Sequence, residues 1–159
     1  MRSVRTRGFT LIELVITLAI VALMATAAMP LAQLVAKREK EAELRAALRD
    51  IRTALDAYKL AADTGRIQKE LDASGYPPDL KSLYVGVEDR SSEKKTLLYF
   101  MRRVPRDPFF PDGKVPAEET WGLRSYASPP DDPQPGDDVY DVYSLDKGVG
   151  LNGVAYRDW

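Results

Sequence analysis

The 159-residue sequence contains no histidine and no cysteine. Without histidine it lacks the side chain whose ordinary pKa suits proton transfer near neutral pH, and without cysteine it has neither a thiol nucleophile nor a disulfide. Zinc sites built on either residue are excluded for the same reason. The Lys, Asp, Glu and Tyr residues form no pair at a spacing that suggests catalysis. We therefore expect a structural protein and not an enzyme.

Acidic residues are missing from the start of the chain, where Arg2, Arg5 and Arg7 precede the first acid, Glu13. The rest of the chain holds 20 basic and 24 acidic residues, a net charge of −4. A mildly acidic domain without a basic stripe argues against nucleic-acid binding. The basic leader predicts that the amino-terminal end stays in the cytoplasm, so that the later domain lies in the periplasm or at the cell surface.

Charge is also absent over the 23 residues from Leu14 to Ala36. As a helix with a rise of about 1.5 Å per residue, they cover the roughly 30 Å hydrocarbon core of a bilayer. We therefore predict a transmembrane helix over residues 9–36. Glu13 lies inside this segment, where a carboxylate costs about 2.5–3.5 kcal/mol and is usually paired. Its own helix supplies no cation, so we expect the partner to come from another copy of the chain.

Two ordinary interpretations of this segment remain open. Ala25-Thr26-Ala27 fits a signal-peptidase site, which would release a soluble secreted protein starting at Ala28. An uncleaved signal anchor is the second. Neither accounts for Glu13, because a buried carboxylate is a needless cost for both purposes.

Residues 8–13 read Gly-Phe-Thr-Leu-Ile-Glu and follow a short basic leader. This string resembles the type III signal of type IV pilins and pseudopilins. The resemblance implies a prepilin leader over residues 1–8, cleavage by a prepilin peptidase between Gly8 and Phe9, and methylation of the new amino terminus at Phe9. It also implies that Glu13 acts in assembly, since the amine of one subunit can meet the Glu13 carboxylate of a neighbour. A buried carboxylate that loses its partner costs about 3–5 kcal/mol.

The apolar segment continues into a second helical stretch. Pro30 lies where the pilin family has its helix-bending proline, and a proline inside a helix costs about 3 kcal/mol and bends it. Leu31 to Asp63 has neither glycine nor proline, and Gly65 is a stop signal. The pattern predicts one bent helix whose residues 37–65 are amphipathic, with an apolar stripe of Leu44, Leu48, Ile51, Leu55, Tyr58 and Ala62. The charged run from Lys37 to Glu43 is interpreted as a solvated face.

Residues 66–159 are predicted to form a small globular domain, and eight of the eleven prolines lie from Pro105 onward. We predict a short helix over Glu93 to Val104, capped by Ser92, with Leu97, Leu98 and Met101 facing inward. Strands are predicted at Leu123 to Ala127, Val139 to Leu145 and Val154 to Trp159, and an exposed loop at Ser128 to Asp138. The expected fold class is α+β, a long amino-terminal helix packed on a small antiparallel sheet. Trp121 and Trp159 are expected in the core, and one of Tyr140 and Tyr143 is expected to pack while the other faces solvent or a neighbour.

Three segments of this domain carry a second resemblance: Tyr76 to Leu80, Val104 to Pro108 and Val139 to Leu145. They are similar to the body of the major pseudopilin (G-type) of type II secretion systems. The resemblance implies an inner-membrane protein that polymerises, with copies of itself and other pseudopilins, into a periplasmic pseudopilus for the export of folded proteins. Its implied partners are the prepilin peptidase, the inner-membrane assembly platform and, before assembly, membrane lipid. The alternative is a type IV pilin or minor pilin; many major pilins carry a disulfide that this chain lacks.

Members of the pseudopilin family commonly bind calcium in their final loop through Asp side chains and backbone oxygens. The corresponding loop here, Ser144 to Gly153, contains Lys147, a poor neighbour for a cation that prefers six to eight oxygens. Asp146, Asn152 and Asp158 are the remaining candidate ligands. A glycine-rich turn held by hydrogen bonds alone is the favoured interpretation, with no cofactor.

Overall fold

The computed structural model describes residues 8–159, apart from the side chains of Ala27 and Ala28, so Arg2, Arg5 and Arg7 lie outside the described residues. The chain divides into two compact units, one ending at Glu39 and the other spanning Lys40–Trp159. The regular elements in chain order are α1 (Leu11–Asp63), α2 (Ser82–Val85), β1 (Val87–Glu88), β2 (Leu97–Leu98), β3 (Trp121–Arg124) and β4 (Asp141–Ser144), with 3-10 turns at Ala117–Thr120 and Tyr156–Asp158.

Helix α1 begins with a capping arrangement that its sequence encodes. The Thr10 hydroxyl accepts a hydrogen bond from the backbone N–H of Glu13 at 3.3 Å, and the Thr10 carbonyl accepts one from Leu14 at 3.2 Å. A threonine followed three residues later by glutamate is the sequence signature of this cap. Pro30 lies inside α1, which remains helical on both sides of it. The predicted single helix of more than fifty residues is confirmed, and the bend at Pro30 stays a prediction.

Helix α1 ends where glycine permits a left-handed turn. Gly65 has φ of +74°, its N–H bonds to the carbonyl of Ala62 at 3.1 Å, and the N–H of Arg66 reaches back to Ala61 at 2.9 Å. This pair of bonds is the Schellman motif, which satisfies carbonyls that the last helical turn leaves without partners. The stop predicted at Gly65 is therefore confirmed.

The core of the second unit forms around the carboxy-terminal part of α1. Every residue of the predicted apolar stripe is buried, as are Leu83, Val104, Trp121, Val139, Val142 and Tyr156. The sheets are two antiparallel pairs, β1 with β2 and β3 with β4, the second aligned so that Trp121 faces Ser144 and Arg124 faces Asp141. The α+β architecture, a long helix with a small antiparallel domain, is confirmed.

The helix predicted over Glu93–Val104 is wrong. This stretch contains the short strand β2, and Lys95 adopts a positive φ of 52°, which no α-helix accommodates. Upstream, the carboxylate of Asp89 accepts the backbone N–H and the hydroxyl of Ser91, a side-chain turn that starts a β1–β2 hairpin. Ser92 therefore caps no helix. Leu97 is exposed, whereas Leu98 and Met101 are half-buried as expected.

The predicted strands are partly right. β3 ends at Arg124 because the next backbone N–H groups turn away, that of Ser125 to the Gln134 carbonyl and that of Tyr126 to the Asp138 carboxylate. β4 covers only the middle of Val139 to Leu145. The strand predicted over Val154–Trp159 is wrong, since this segment makes one isolated bridge, Val149 with Ala155, and then a 3-10 turn.

A buried carboxylate joins two of the segments on which the second resemblance rests. Asp107, 1% exposed, accepts a hydrogen bond from the Ser144 hydroxyl at 2.6 Å and another from the N–H of Phe109 at 2.8 Å. Its own N–H donates to the Thr120 hydroxyl. Charge-assisted bonds of this kind are short and strong, so Asp107 fixes the end of β4 against the loop after Val104.

Candidate assembly segment and carboxy-terminal loop

The amino-terminal part of α1 presents apolar side chains without a cover. Phe9 and Leu11 are 79% and 84% exposed, and the other described side chains up to Thr26 are also exposed. Among the described residues, α1 is the one helix long and apolar enough to cross a membrane, by length and composition. The hydroxyls of Thr17 and Thr26 donate to carbonyls three residues earlier, at 2.9 and 2.7 Å. The segment therefore satisfies its own hydroxyl donors, as a lipid environment requires.

Glu13 is exposed in the first turn of this helix. Within residues 8–159 no hydrogen bond or ion pair reaches its carboxylate, whereas its backbone N–H donates to the Thr10 hydroxyl. Gly8 and Phe9 lie ahead of the helix in exposed, non-helical backbone. The structure thus places three of the predicted site residues, Gly8, Phe9 and Glu13, at one end of an exposed apolar helix. The Glu13 carboxylate there is available to pair with a cation.

The model of the prokaryotic N-terminal methylation motif matches residues 4–29. The chain carries a prepilin-type signal. The matched range includes Gly8, Phe9 and Glu13, and it supports a type IV pilin-like protein that is processed by a prepilin peptidase and assembles into a pilin-like polymer. No curated protein matches the chain, and no solved structure does.

Two of the three candidate calcium ligands accept hydrogen bonds within local turns. Asp146 accepts the N–H of Gly148 at 2.7 Å, and Asn152 accepts the N–H of Val154 at 3.1 Å. Asp158 is exposed beside Arg157. No group of three or more acidic residues that could hold a metal occurs in the part of the chain that the structure describes. These residues do not fit a calcium site, and the loop is a hydrogen-bonded turn.

One functional-site candidate in this region was missed by the sequence analysis. Glu41, placed there on a solvated face, is only 3% exposed. Its Oε1 accepts the N–H of Leu151 at 2.8 Å and the hydroxyl of Tyr156 at 3.1 Å, while Arg45 lies 3.8 Å from Oε2. Glu41 lies three residues before Leu44, so it extends the apolar stripe by one position. That register is the signal by which it could have been found.

The Tyr156 hydroxyl stays protonated at any physiological pH, so it donates its hydrogen bond to Glu41 throughout that range. Burial, and then the hydrogen bond to Glu41, raise the pKa of Tyr156 to about 12. Tyr156 stacks on Phe109 with ring centroids 4.2 Å apart and meets Trp159 edge-on at 5.0 Å. The hydroxyl is therefore held in place by its neighbours.

Arg52 makes a second connection between α1 and the end of the chain. Its Nε donates to the Asp141 carboxylate at 2.7 Å, and Nη2 donates to the backbone oxygens of Val142 at 3.2 Å and Trp159 at 2.8 Å. Trp159 is half-buried under the Arg45 guanidinium, 4.1 Å from its ring centre, whereas Trp121 is buried. The core position expected of Trp121 is confirmed, and that of Trp159 holds only in part.

The two tyrosines of the β4 region are both half-buried and both pack, so the expectation that only one of them packs is wrong, while contact of either with a neighbouring copy stays a prediction. Tyr140 meets the rings of Tyr76 and Tyr126 edge-on, at 5.0 and 5.4 Å. Tyr143 lies over Gly122, its partner across the β3–β4 pair. A glycine beside an aromatic ring across strands is covered by that ring.

Proposed function

We propose that the chain is a pseudopilin, a structural subunit that polymerises into the periplasmic pseudopilus of a type II secretion system and helps export folded proteins. Glu13 carries the proposal, because its carboxylate has no partner within residues 8–159 and lies inside a prepilin-type signal on an exposed apolar helix. The similarity of the domain to the G-type pseudopilin body and the absence of cysteine favour a pseudopilus over a surface pilus.

Assembly follows from the chemistry of the processed end. Cleavage after Gly8 gives Phe9 a methylated amine that stays cationic at neutral pH. In the membrane this subunit is single-pass, with its amino-terminal end cytoplasmic and its domain periplasmic. When helices pack side by side, the amine of one subunit contacts the Glu13 carboxylate of another. The apolar side chains then contact neighbouring helices instead of lipid. When two helices are shifted out of register, the amine and the carboxylate both lose their partner. The pairing therefore favours one alignment of neighbouring subunits.

The test compares Glu13→Ala with Thr17→Ala, a control one helical turn further along the same face. Both variants are expected to yield a mature chain that begins with N-methylated Phe9 by mass spectrometry. Glu13→Ala is then expected to reduce sedimentable fibre at least ten-fold, because the amine of the neighbour loses its partner, while Thr17→Ala assembles normally.

Other outcomes would reject parts of the proposal. A mature chain starting at Ala28 would indicate a secreted protein, and normal fibre from Glu13→Ala would reject the pairing. Deletion of the gene distinguishes the two assemblies: a pseudopilin is required for protein export, whereas intact export with lost surface pili would identify a pilin.

A further inference from the structure

The surroundings of the Glu41 side chain consist of hydrogen-bond donors. A backbone N–H, a phenol hydroxyl and a guanidinium face its two carboxylate oxygens. The side chain is almost fully buried, and a buried carboxylate is stable only when such donors replace water. Two of the donors, Leu151 and Tyr156, belong to the carboxy-terminal end of the chain. The carboxylate therefore links helix α1 to that end directly.

The same surroundings are unsuited to a divalent cation. Calcium needs six to eight oxygen ligands, but the oxygens of Glu41 are turned toward donors and lie beside the positive charge of Arg45. Oδ1 of Asp146 and Oδ1 of Asn152 each accept an N–H of their own turn. A cation here would compete with the N–H donors at Glu41 Oε1, Asp146 Oδ1 and Asn152 Oδ1, and it would lie beside the positive charge of Arg45.

The two sides of the loop are also joined by backbone hydrogen bonds. The N–H of Gly150 bonds to the Val154 carbonyl at 2.8 Å, and that of Tyr156 bonds to the Gly148 carbonyl at 3.1 Å. A Cβ added at Gly150 would lie 2.3 Å from the Trp159 ring, so the turn is packed closely against that side chain. The loop therefore has its own backbone hydrogen bonds, and the N–H of Leu151 joins it to Glu41 on the helix.

We propose that the Glu41 carboxylate is this anchor and that it fixes the carboxy-terminal loop, residues 144–153, on helix α1 in place of a bound calcium ion. Glu41 acts as a positioning residue, and the fold of the loop is independent of divalent cations. The inference does not depend on the proposed function, since it concerns the folded subunit alone.

The test measures amide exchange and thermal unfolding of the full-length chain in detergent micelles. In the wild type, millimolar calcium and a chelator are expected to give the same Tm and the same exchange rate at Leu151. Glu41→Ala is expected to speed exchange at Leu151 about ten-fold or more, because the acceptor of that N–H is removed. Glu43→Ala, an exposed acid on the same helix, is the matched control and is expected to change neither quantity.

Two conservative variants keep the test informative if Glu41→Ala does not fold. Glu41→Gln retains an oxygen acceptor and should give an intermediate exchange rate at Leu151. Tyr156→Phe removes only the hydroxyl and should lower the Tm by a few degrees, again equally with and without calcium. A wild-type Tm that rises on adding calcium, or unchanged exchange at Leu151 in Glu41→Ala, would overturn the proposal.

Discussion

At the scale of single residues, the carboxylates of this protein differ in the donors that surround them. Asp89 is buried, with the Arg66 guanidinium 2.6 Å from one oxygen and the Ser91 hydroxyl 2.6 Å from the other. Glu41 and Asp107 are likewise enclosed by donors. Glu13 has none among the described residues. The contrast separates carboxylates that serve the folded subunit from the one that is available to a neighbour.

Asp89 gives the stability of the domain a specific acid dependence. The hydrogen bond from Arg66, followed by that from Ser91, lowers the pKa of Asp89 from 3.8 to about 2. The unfolded chain therefore binds more protons between these values, so the contribution of Asp89 is full above about pH 4 and is lost as the pH falls through about 2. Asp89→Asn should make the unfolding free energy fall less steeply between pH 4 and pH 2. Urea titrations over this range, with exposed Asp72→Asn as control, measure it; an unchanged slope would contradict the assignment.

Gly122 is required by the ring that covers it. A Cβ at this position would lie 2.3 Å from Tyr143, closer than any van der Waals contact allows, whereas one at Gly113 meets nothing within 4 Å. Gly122→Ala should therefore lower the free energy of unfolding by about 1–3 kcal/mol, as overpacking does, and Gly113→Ala should have little effect. Equal unfolding midpoints for the two variants in urea would show that the ring moves aside at no cost.

At the scale of elements, the amphipathic part of α1 carries the core of the domain. Leu55 is fully buried in the stripe, while Leu60, five residues later, is 65% exposed. Leu55→Ala should cost about 2–5 kcal/mol, since it removes buried methyl groups and leaves a cavity, and Leu60→Ala should cost under about 1 kcal/mol. Denaturant unfolding of the full chain in micelles compares them. A similar loss for both would mean that the stripe does not face the core.

The same elements show which features the sequence determines locally. The stripe and the stop at Gly65 were predictable because helical spacing and a left-handed glycine are local signals. The actual structure of Glu93–Val104 was not predictable in this way. The side-chain turn at Asp89 and the positive φ of Lys95 override the helix-forming residues of this stretch. The strand over Val154–Trp159 failed because its N–H groups bond within the loop. Glu41 was missed because its neighbours in sequence are charged, although its position in the stripe is that of a core residue.

At the scale of the whole molecule, the amino-terminal part of helix α1 and the second unit differ in how far their side chains are covered. The helix contains most of the methylation motif matched at residues 4–29, together with the exposed apolar side chains. It also contains Glu13, whose carboxylate has no partner among the described residues. The second unit has its own core and satisfies its buried polar side chains, so far as the described residues extend. The chain therefore combines a unit that has its own core with an exposed apolar helix, which is compatible with a membrane anchor of a prepilin-type protein.

The structure of purified fibres by electron cryo-microscopy tests this account most directly. The proposed pairing predicts that the Glu13 carboxylate of one subunit lies within hydrogen-bond distance, about 3 Å, of the methylated amine of Phe9 on an adjacent subunit. A Glu13 side chain that is solvated in the fibre, or that contacts no terminal nitrogen, would contradict it.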